Sequence, residues 1–425
     1  MAHFVLVTRV VFPLSKIDAA SRFGYNSPSP SELSRHRREP LTDTTKILVT
    51  GGAGFIGRSV TARLQSGGQW VRWLDNLDPQ IHDAEAAAKP DYCRPPNEMI
   101  LGDVRARGDW EKALDGIDAV IHLAAQTGTA QSMYRVADYT DVNVGGTALL
   151  WETLANEKTK VKRVVVASSR AVYGEGAYRC VALCGLVSPE PRAKSQLESG
   201  QWDPRCPVCG EDAWPVATTE WSVAQPASIY GCTKLAQESI SLTMGRALGI
   251  ATTVLRLQNV YGPGQSLRNP YTGIISIFSN QMRQNLPVNI YEDGSETRDF
   301  VYIDDVAEIF AASLALKSSP VLINVGSGYP TKLIDLAQIL RDIWRSTSEM
   351  AVSGDYRVGD IRHNWADLDL LRKYFPVWQT TPLKAGLEKF AEWAKTLPEF
   401  VDRSQIAADE LSARNLGYQR TLASR

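Results

Sequence analysis

The sequence lacks a long apolar run and lacks an excess of charge of either sign. Among its 425 residues, 46 lysines and arginines nearly balance 47 acidic residues, which gives a formal net charge of -1. Such a balance gives no indication of a nucleic-acid-binding or membrane-binding surface. No apolar run approaches the ~20 residues that a membrane-spanning helix requires. A hydrophobic content of 44% and a charged content of 22% are ordinary for a globular enzyme.

Cysteine is scarce, and its distribution is uneven. Four of the six cysteines, Cys180, Cys184, Cys206 and Cys209, lie in one short segment. The Cys206-x-x-Cys209 pair resembles half of a zinc knuckle, and the first pair, although it has three intervening residues, completes the ligands of a four-thiolate site. We expect a structural zinc ion with no open coordination position. The alternative is four reduced cysteines in a flexible loop.

The glycines are concentrated where a dinucleotide would bind. A short apolar run at residues 47–49 predicts a buried parallel strand. Gly52, Gly54 and Gly57 follow it in a G-x-G-x-x-G spacing, and Gly51 extends the pattern to G-x-x-G-x-x-G. An amphipathic segment at 58–65 then predicts a helix, whose N-terminus favours a pyrophosphate. An ordinary tight turn between a strand and a helix is the alternative.

Further strands predict the fold class. The runs at 69–74, 99–101, 119–123 and 164–167 alternate with helical segments, and one long helix is expected from Asp138 to Asn156. This alternation predicts an α/β fold with a Rossmann-type doubly wound parallel sheet, which binds ligands at the carboxyl ends of its strands. Asp75 follows the second strand about 20 residues past the glycines, where a carboxylate holds the adenosine ribose and disfavours a 2′-phosphate. We therefore expect NAD rather than NADP, unless Asp75 is only a turn residue.

Tyr230 and Lys234 indicate alcohol chemistry. They are four residues apart, so on a helix they share one face. A nearby ammonium lowers the pKa of a phenol, and a hydroxyl partner such as Ser169 can bind the same substrate oxygen. The three residues predict a proton relay that oxidises an alcohol while a nicotinamide takes the hydride.

The chain resembles the extended short-chain dehydrogenase/reductase superfamily, in its nucleotide-sugar epimerase/dehydratase branch, from about Lys46 to about Ala394. The motifs that carry the resemblance include Thr-Gly-Gly-Ala-Gly-Phe-Ile-Gly from Thr50, Gly102-Asp103-Val104, His122-Leu123-Ala124-Ala125, Ser-Ser-Arg-Ala-Val-Tyr-Gly from Ser168, Asn259-Val260-Tyr261-Gly262-Pro263, Arg298-Asp299-Phe300 and Arg357-Val358-Gly359-Asp360. The stretch from Leu257 to Ile274 and the cysteine insertion are similar to dTDP-L-rhamnose 4-epimerases.

The resemblance implies a role for each matching residue. Ser169, Tyr230 and Lys234 match the catalytic residues. The implied NAD contacts are Gly51, Gly54, Phe55, Ile56, Gly57, Asp75, Asn76, Asp103, Val104, Leu123, Ala124, Ala125, Asn143, Tyr230 and Lys234. The implied substrate contacts are Gln126, Ser132, Ser169, Asn259, Arg298 and Arg357, of which the last three hold a pyrophosphate. Pairing of the arginines with Asp299 or Asp360 is the alternative.

The residues after Ser169 favour one reaction. The 4,6-dehydratases that resemble this chain carry an Asp-Glu pair there, whereas this chain has Arg170 and Ala171. Without those carboxyls we expect no elimination, and the resemblance implies an NAD-dependent 4-epimerase acting through a 4-keto intermediate. A UDP-hexose 4-epimerase, a nucleotide-sugar reductase and an NAD-binding regulatory protein remain alternatives.

The domain organisation follows from the same comparison of motifs. We expect a disordered or misannotated extension at 1–43, an NAD-binding domain at 44–258 with the Cys-rich insertion at about 176–224, a smaller, mainly substrate-binding α/β domain at 259–398 and a C-terminal tail at 399–425. The resemblance implies a cytoplasmic homodimer, formed through the helices at 138–156 and 228–246. The partner that the motifs indicate is a nucleotide-diphosphate sugar.

Overall fold

A computed structural model describes residues 45–82, 95–269, 273–317 and 320–418 of the chain. The expectation for residues 1–43 lies outside these described residues, as does Cys93. The strands are β1 Lys46–Thr50, β2 Trp70–Asp75, β3 Glu98–Leu101, β4 Ala119–His122, β5 Arg163–Ser169, β6 Tyr178–Cys180, β7 Leu186–Val187, β8 Ala213–Pro215, β9 Ala251–Leu257, β10 Asn259–Tyr261, β11 Val288–Ile290, β12 Thr297–Tyr302, β13 Val321–Val325, β14 Pro330–Lys332, β15 Met350–Val352, β16 Tyr356–Arg357, β17 His363–Asn364 and β18 Gly417–Tyr418.

The helices of the described residues alternate with these strands over most of the chain. They are α1 Phe55–Ser66, α2 Arg107–Leu114, α3 Thr129–Ser132, α4 Val136–Tyr139, α5 Gly146–Asn156, α6 Lys194–Glu198, α7 Ile229–Leu248, α8 Ile274–Arg283, α9 Ile303–Ser313, α10 Leu333–Trp344, α11 Asp369–Tyr374, α12 Leu383–Lys395 and α13 Ser404–Ser412. A π-helical segment, Thr140–Gly145, joins α4 to α5, so the long helix expected at 138–156 contains a wider turn.

A seven-stranded parallel sheet forms the centre of the fold. Its strand order is β13-β9-β5-β4-β1-β2-β3, and the order reverses at β1, as in a doubly wound sheet. The apolar side chains of its central strands are fully buried, and one layer of the core lies between the sheet and helices α2, α5 and α7. The Rossmann-type fold predicted from the sequence is confirmed.

A second group of elements lies beyond the carboxyl ends of these strands. Strands β10, β12 and β14 form a small sheet, which β17 joins through β12. Helices α8, α10 and α12 cover it and enclose a separate apolar core. The chain returns to the large sheet in between, because α9 packs on α1 and β13 pairs with β9. The two layers are therefore interleaved in sequence between residues 259 and 325.

The insertion and the tail both have regular structure. Strands β6, β7 and β8 form a three-stranded antiparallel sheet inside the insertion. In the tail, β18 pairs with β16, which places Gly417 opposite Arg357, and the ring of Tyr418 stacks on Tyr356. The tail thus adds a strand beside an arginine that the sequence assigned to the substrate.

Candidate active site

The glycine turn shapes the N-terminus of α1. This helix begins at Phe55, with Gly54 extended before it and no side-chain cap. The first amides of a helix have no partner within the helix, so they can donate to an anion. A Cβ atom at Gly57 would lie 2.3 Å from the carbonyl oxygen of Gly51, and one at Gly51 would lie 2.9 Å from the nitrogen of Ala124. The close approach of these backbone segments fits a dinucleotide cradle.

Replacing Gly57 by alanine is expected to abolish the retention of NAD. The new methyl group would collide with the backbone of Gly51 and Gly52, at 2.3 and 2.7 Å, so the turn itself would have to move. The measurement is the amount of NAD released when the purified protein is denatured. Gly108→Ala is the matched control, because a Cβ there meets nothing within 4 Å. Equal NAD content in both variants would contradict the cradle.

Asp75 ends β2 beside the glycine turn. Its carboxylate oxygens accept hydrogen bonds from the amides of Ala53, at 3.0 Å, and Leu77, at 2.9 Å. The Nε2 atom of His82 also lies 3.7 Å from Asp75 Oδ1. A carboxylate has about four acceptor positions, so capacity remains for a ribose hydroxyl. The buried negative charge also disfavours an additional phosphate at this position. The residue fits NAD, as the sequence predicted.

Asn76 and Asp103 meet at the next strand end. The side-chain amide of Asn76 donates to Asp103 at 3.2 Å, and Arg105 donates to both Asp103 oxygens at 2.9 and 2.7 Å. The hydrogen bond from Arg105 is the main cause that lowers the pKa of Asp103 to about 2. Val104 is buried, and its carbonyl accepts from the indole of Trp110. Asp103 and Val104, which the resemblance assigns to NAD, therefore lie in a turn held by hydrogen bonds.

The segment after β4 lies against the glycine turn. The amides of Leu123 and Ala124 donate to the Thr50 hydroxyl at 3.2 and 3.1 Å. The side chain of Asn143 accepts from the amide of Gln126 and donates to its carbonyl, at 2.8 and 3.1 Å. Asn143 also donates to the Thr233 hydroxyl of helix α7, so it links the segment after β4 to that helix.

The three predicted catalytic residues converge at the carboxyl end of β5. Ser169 ends the strand, and its hydroxyl hydrogen-bonds the phenol of Tyr230. Tyr230 lies in the first turn of α7, whose N-terminus is capped by the Ser228 hydroxyl. Lys234 follows one turn later, with its Nζ atom 5.9 Å from the centre of the tyrosine ring. Tyr230 and Lys234 therefore lie on one face of α7, as their spacing in the sequence predicted.

Burial dominates the ionisation of this group. It raises the pKa of Tyr230, against the effects of the Ser169 hydrogen bond and of the Arg170 charge. The lowering of the Tyr230 pKa that was expected from Lys234 is not found, and burial lowers the pKa of Lys234 itself to about 7. The ammonium of Lys234 donates instead to the Ala167 carbonyl, at 3.0 Å. Arg170 is the cation that favours the phenolate in this structure.

Arg298 and Asn259 lie on paired strands of the small sheet. The Nη1 atom of Arg298 donates to the carbonyls of Thr297 and Arg362, both at 3.0 Å. Asp299 does not pair with it, since that carboxylate accepts from the backbone amides of residues 327, 328 and 366 and from the Ser327 hydroxyl. The side-chain oxygen of Asn259 is buried and has no hydrogen-bond partner. Both side chains are therefore available to a ligand.

Two further buried arginines have donor atoms without a partner. The guanidinium of Arg357 lies over the ring of Tyr291, at 4.9 Å from its centre, and its Nε atom is buried without a partner. The Nη1 atom of Arg170 is also buried without a partner. Burial and repulsion by Arg298 lower the pKa of Arg170 to about 9. Buried guanidinium groups that repel one another form a site that an anion stabilises.

The two remaining substrate candidates differ in position. Gln126 is half-buried, and its side-chain amide donates to Asp78 at 3.0 Å. Ser132 is fully buried. Its hydroxyl donates to the Thr129 carbonyl at 2.6 Å and accepts from the Tyr230 amide at 3.0 Å. Because both hydrogen bonds of this hydroxyl go to the protein backbone, Ser132 holds the start of α7 in place, and we leave it out of the proposed substrate contacts.

The four cysteines of the insertion form one cluster. The sulfur atoms of Cys180, Cys184, Cys206 and Cys209 all lie within 4.8 Å of one another. The Cys180 and Cys209 sulfurs are 3.4 Å apart, which is too far for a disulfide, and all four thiols are free. The structure therefore groups the four residues that the sequence selected as metal ligands.

A glycine cradle, an acidic strand end and a Ser/Tyr/Lys group in one α/β sheet define a site of the short-chain dehydrogenase/reductase type. Residues 47–191 and 206–326 match the model of the NAD dependent epimerase/dehydratase family. The chain belongs to this family.

Its relatives include characterised epimerases. The chain is 41% identical to the dTDP-L-rhamnose 4-epimerase of Burkholderia thailandensis over 331 residues, 77% of this chain and 89% of that protein. The UDP-glucuronic acid 4-epimerase of Bacillus cereus, solved with UDP-glucuronic acid and NAD, matches with a TM-score of 0.68 and 25% identity over 83% of this chain and 100% of that chain. The UDP-glucose 4-epimerase of Thermotoga maritima, solved with UDP-glucose, matches with a TM-score of 0.66 and 26% identity over 83% and 99%.

Sequence reasoning missed two features of the site. It used Arg170 only as evidence that a carboxyl is absent, whereas in the folded protein the charge of Arg170 lowers the pKa of Tyr230 and interacts with that of Arg298. Its position directly after Ser169 was the available signal. The buried ion pairs of Arg192 and Arg362 had no such signal, because their partners lie up to 159 residues away.

Proposed function

We propose that this protein is an NAD-dependent 4-epimerase of a nucleotide-diphosphate sugar, with dTDP-L-rhamnose as its first candidate substrate. One observation carries the proposal: Ser169, Tyr230 and Lys234 meet at the end of the nucleotide-binding sheet, while the next two positions hold Arg170 and Ala171. That arrangement supports proton transfer and offers no acid and base for elimination. The similarity to the epimerase from Burkholderia thailandensis favours this substrate.

The proposed reaction assigns a step to each side chain. NAD, which the glycine turn and Asp75 would hold, would supply the hydride acceptor for C4 and the hydride donor for the return step. The Tyr230 phenolate takes the proton of the C4 hydroxyl while Ser169 hydrogen-bonds the same oxygen. Asn259, Arg298 and Arg357 hold the diphosphate, so the resulting 4-keto sugar stays bound while it turns its other face. Tyr230 then returns the proton to the C4 oxygen as the hydride adds to that face.

One experiment distinguishes this proposal from its alternatives. The purified protein, without added NAD, is incubated with dTDP-L-rhamnose and, separately, with UDP-glucose, and the products are analysed for the C4 epimer. Epimer formation from the first substrate supports the proposal, and epimer formation from UDP-glucose alone favours a UDP-hexose 4-epimerase. Turnover that requires stoichiometric NAD(P)H indicates a reductase. Bound NAD without turnover of any nucleotide sugar indicates a regulatory protein.

Replacing Arg170 by glutamine is expected to move the pH dependence of turnover. Removal of this cation raises the pKa of Tyr230, and the base must be deprotonated to act, so the rising limb of kcat/KM shifts to higher pH. A nearby opposite charge changes a pKa by about one unit or more, which sets the expected shift. The measurement is a pH profile, with Arg107→Gln, at an exposed arginine, as the control. A limb that stays in place would exclude Arg170 from this effect.

We also propose that the four cysteines bind a structural zinc ion. Tetrahedral zinc with Zn–S bonds of about 2.3 Å needs sulfurs about 3.8 Å apart. The four sulfurs lie within 4.8 Å of one another and the Cys180 and Cys209 sulfurs are 3.4 Å apart, so small shifts in both directions would complete the site. Amides of Val208 and Cys209 hydrogen-bond the Cys206 sulfur, as expected where a turn stabilises a thiolate. With four protein ligands the ion has no open position, so it takes no part in hydride transfer.

We propose a cytoplasmic homodimer for this protein. Helices α5 and α7 pack side by side through the Trp151 indole, which donates to Ser241 at 3.0 Å, and their outer faces are the proposed dimer surface. Light scattering of the purified protein tests the mass. Free thiols in the described residues support a reducing compartment. In that part of the chain, no helix has both the length and the apolarity to cross a bilayer.

A further inference from the structure

The insertion that carries the cysteines also carries a buried arginine. Arg192 follows Cys184 by eight residues, and its side chain is only 1% exposed. Its Nε atom donates to Glu175 at 2.9 Å, and Nη1 donates to both oxygens of Glu292 at 2.9 Å. Nη2 donates to the Asp360 carbonyl at 2.9 Å. Arg192 thus connects the insertion to Glu175, six residues after Ser169, and to two loops of the substrate layer.

Arg362 continues this network towards the phosphate-binding candidates. Its Nη1 atom donates to Glu292 at 3.0 Å, its amide donates to Glu175 at 2.7 Å, and its Nε atom donates to Asp203 of the insertion at 2.9 Å. The Arg362 carbonyl accepts from the Arg298 side chain at 3.0 Å. A short series of contacts therefore leads from the insertion, through Arg362, to the guanidinium of Arg298.

The energetics of this network favour a positioning role. Buried ion pairs contribute little net stability, but removal of one partner is strongly destabilising because it leaves an unpaired buried charge. The network therefore tolerates one arrangement of its loops and disfavours others. Since Nη1 of Arg298 is held by two backbone carbonyls, the direction of its remaining donors depends on where the 362 loop lies.

We infer that the four-cysteine insertion, ordered by its metal ion, positions Arg298 for the substrate's diphosphate through Arg192, Asp203 and Arg362. Affinity for a nucleoside diphosphate should therefore depend on zinc, whereas NAD retention should not, because the glycine cradle makes no contact of this series. This inference rests on the proposed function, in which Arg298 binds the diphosphate. Arg192, Asp203 and Arg362 are positioning residues and touch no reacting atom.

The test measures dTDP binding by titration calorimetry and zinc by elemental analysis in the full-length protein. Removal of zinc with a mercurial reagent and a chelator should weaken dTDP binding about 10- to 100-fold, the range for loss of one charge-assisted contact. Returning thiol and zinc should restore the binding. Cys184→Ser should reproduce the loss, and Cys232→Ser, at an exposed cysteine outside the cluster, should not. Unchanged dTDP affinity after zinc removal would overturn the inference, as would a protein purified without metal that binds dTDP fully.

Asp203→Asn provides a variant that should fold, since this carboxylate is 68% exposed. It should keep its zinc and lose several-fold in dTDP affinity, and an unchanged affinity would contradict the route through Arg362. Hydrogen exchange of residues 296–302 separates this inference from the proposed function, because the Thr297 amide donates to the Arg362 carbonyl at 3.1 Å. If no form binds dTDP, the diphosphate assignment fails. Faster exchange there after zinc removal would still support the connection, and unchanged exchange would refute it.

Discussion

Replacing Tyr230 by phenylalanine is expected to slow epimerisation by ~10²–10⁴-fold, the usual contribution of a positioned general base. The substitution removes the only atom that takes the substrate proton and keeps the ring that packs edge-on against Tyr139. NAD should remain bound, because the glycine turn and Asp75 are unchanged. The measurement combines the initial rate of epimer formation with the NAD content of the purified variant.

Tyr139→Phe is the matched control for this substitution. It removes a phenol hydroxyl in the same neighbourhood, one that donates to the Thr127 carbonyl at 2.5 Å. We expect a moderate loss of stability and a rate within about tenfold of the parent, since that hydroxyl serves packing and not proton transfer. A Tyr230→Phe variant as active as the Tyr139→Phe variant would remove Tyr230 from the role of base.

The sequence predicted the central fold because its signals are local. Each strand is a short buried run, and Gly51, Gly54 and Gly57 lie within seven residues, so pattern and spacing suffice. The interleaving of the two layers was not predictable in the same way. The return of β13 to the large sheet depends on pairing with β9, about 70 residues earlier, and no local pattern specifies that partner.

The electrostatics of the site show the same limit of local reasoning. Spacing placed Tyr230 and Lys234 on one face, but it could not give the degree of burial, which reverses the expected shift of the tyrosine pKa. Hydrogen bonding favours the expected ligand role of Arg298 over the alternative ion pair, because Arg298 donates to backbone carbonyls while the Asp299 carboxylate accepts from backbone amides. Residue types and spacing were therefore enough to predict the roles of these residues. Their pKa shifts and hydrogen-bond partners depend on the fold and could not be predicted from the sequence.

Replacing Lys234 by methionine is expected to lower kcat about 100-fold and to weaken NAD retention. Methionine keeps most of the volume of this buried side chain but removes the ammonium and its donors. In the proposed site that ammonium holds the nicotinamide ribose beside Tyr230. The measurements are kcat in the presence of saturating NAD and the NAD released on denaturation. Lys112→Met, at a lysine with a 72% exposed side chain, should leave both unchanged.

The pH dependence of the stability of the cofactor-free protein is an independent measure of the pKa of Lys234 in the folded state. Burial lowers the pKa of Lys234 from 10.5 to about 7, so the folded protein loses this proton near pH 7 while the unfolded chain keeps it until about pH 10.5. Because the unfolded state binds more protons in that window, the free energy of unfolding of the parent should rise with pH from 7 towards 10.5. The methionine variant lacks this contribution, so it should exceed the parent in stability at pH 6, and its advantage should shrink above pH 7. Denaturant unfolding at a series of pH values measures the difference. A gap that is constant with pH would mean that folding leaves the pKa of Lys234 unchanged, and burial would then not control the charge of this group.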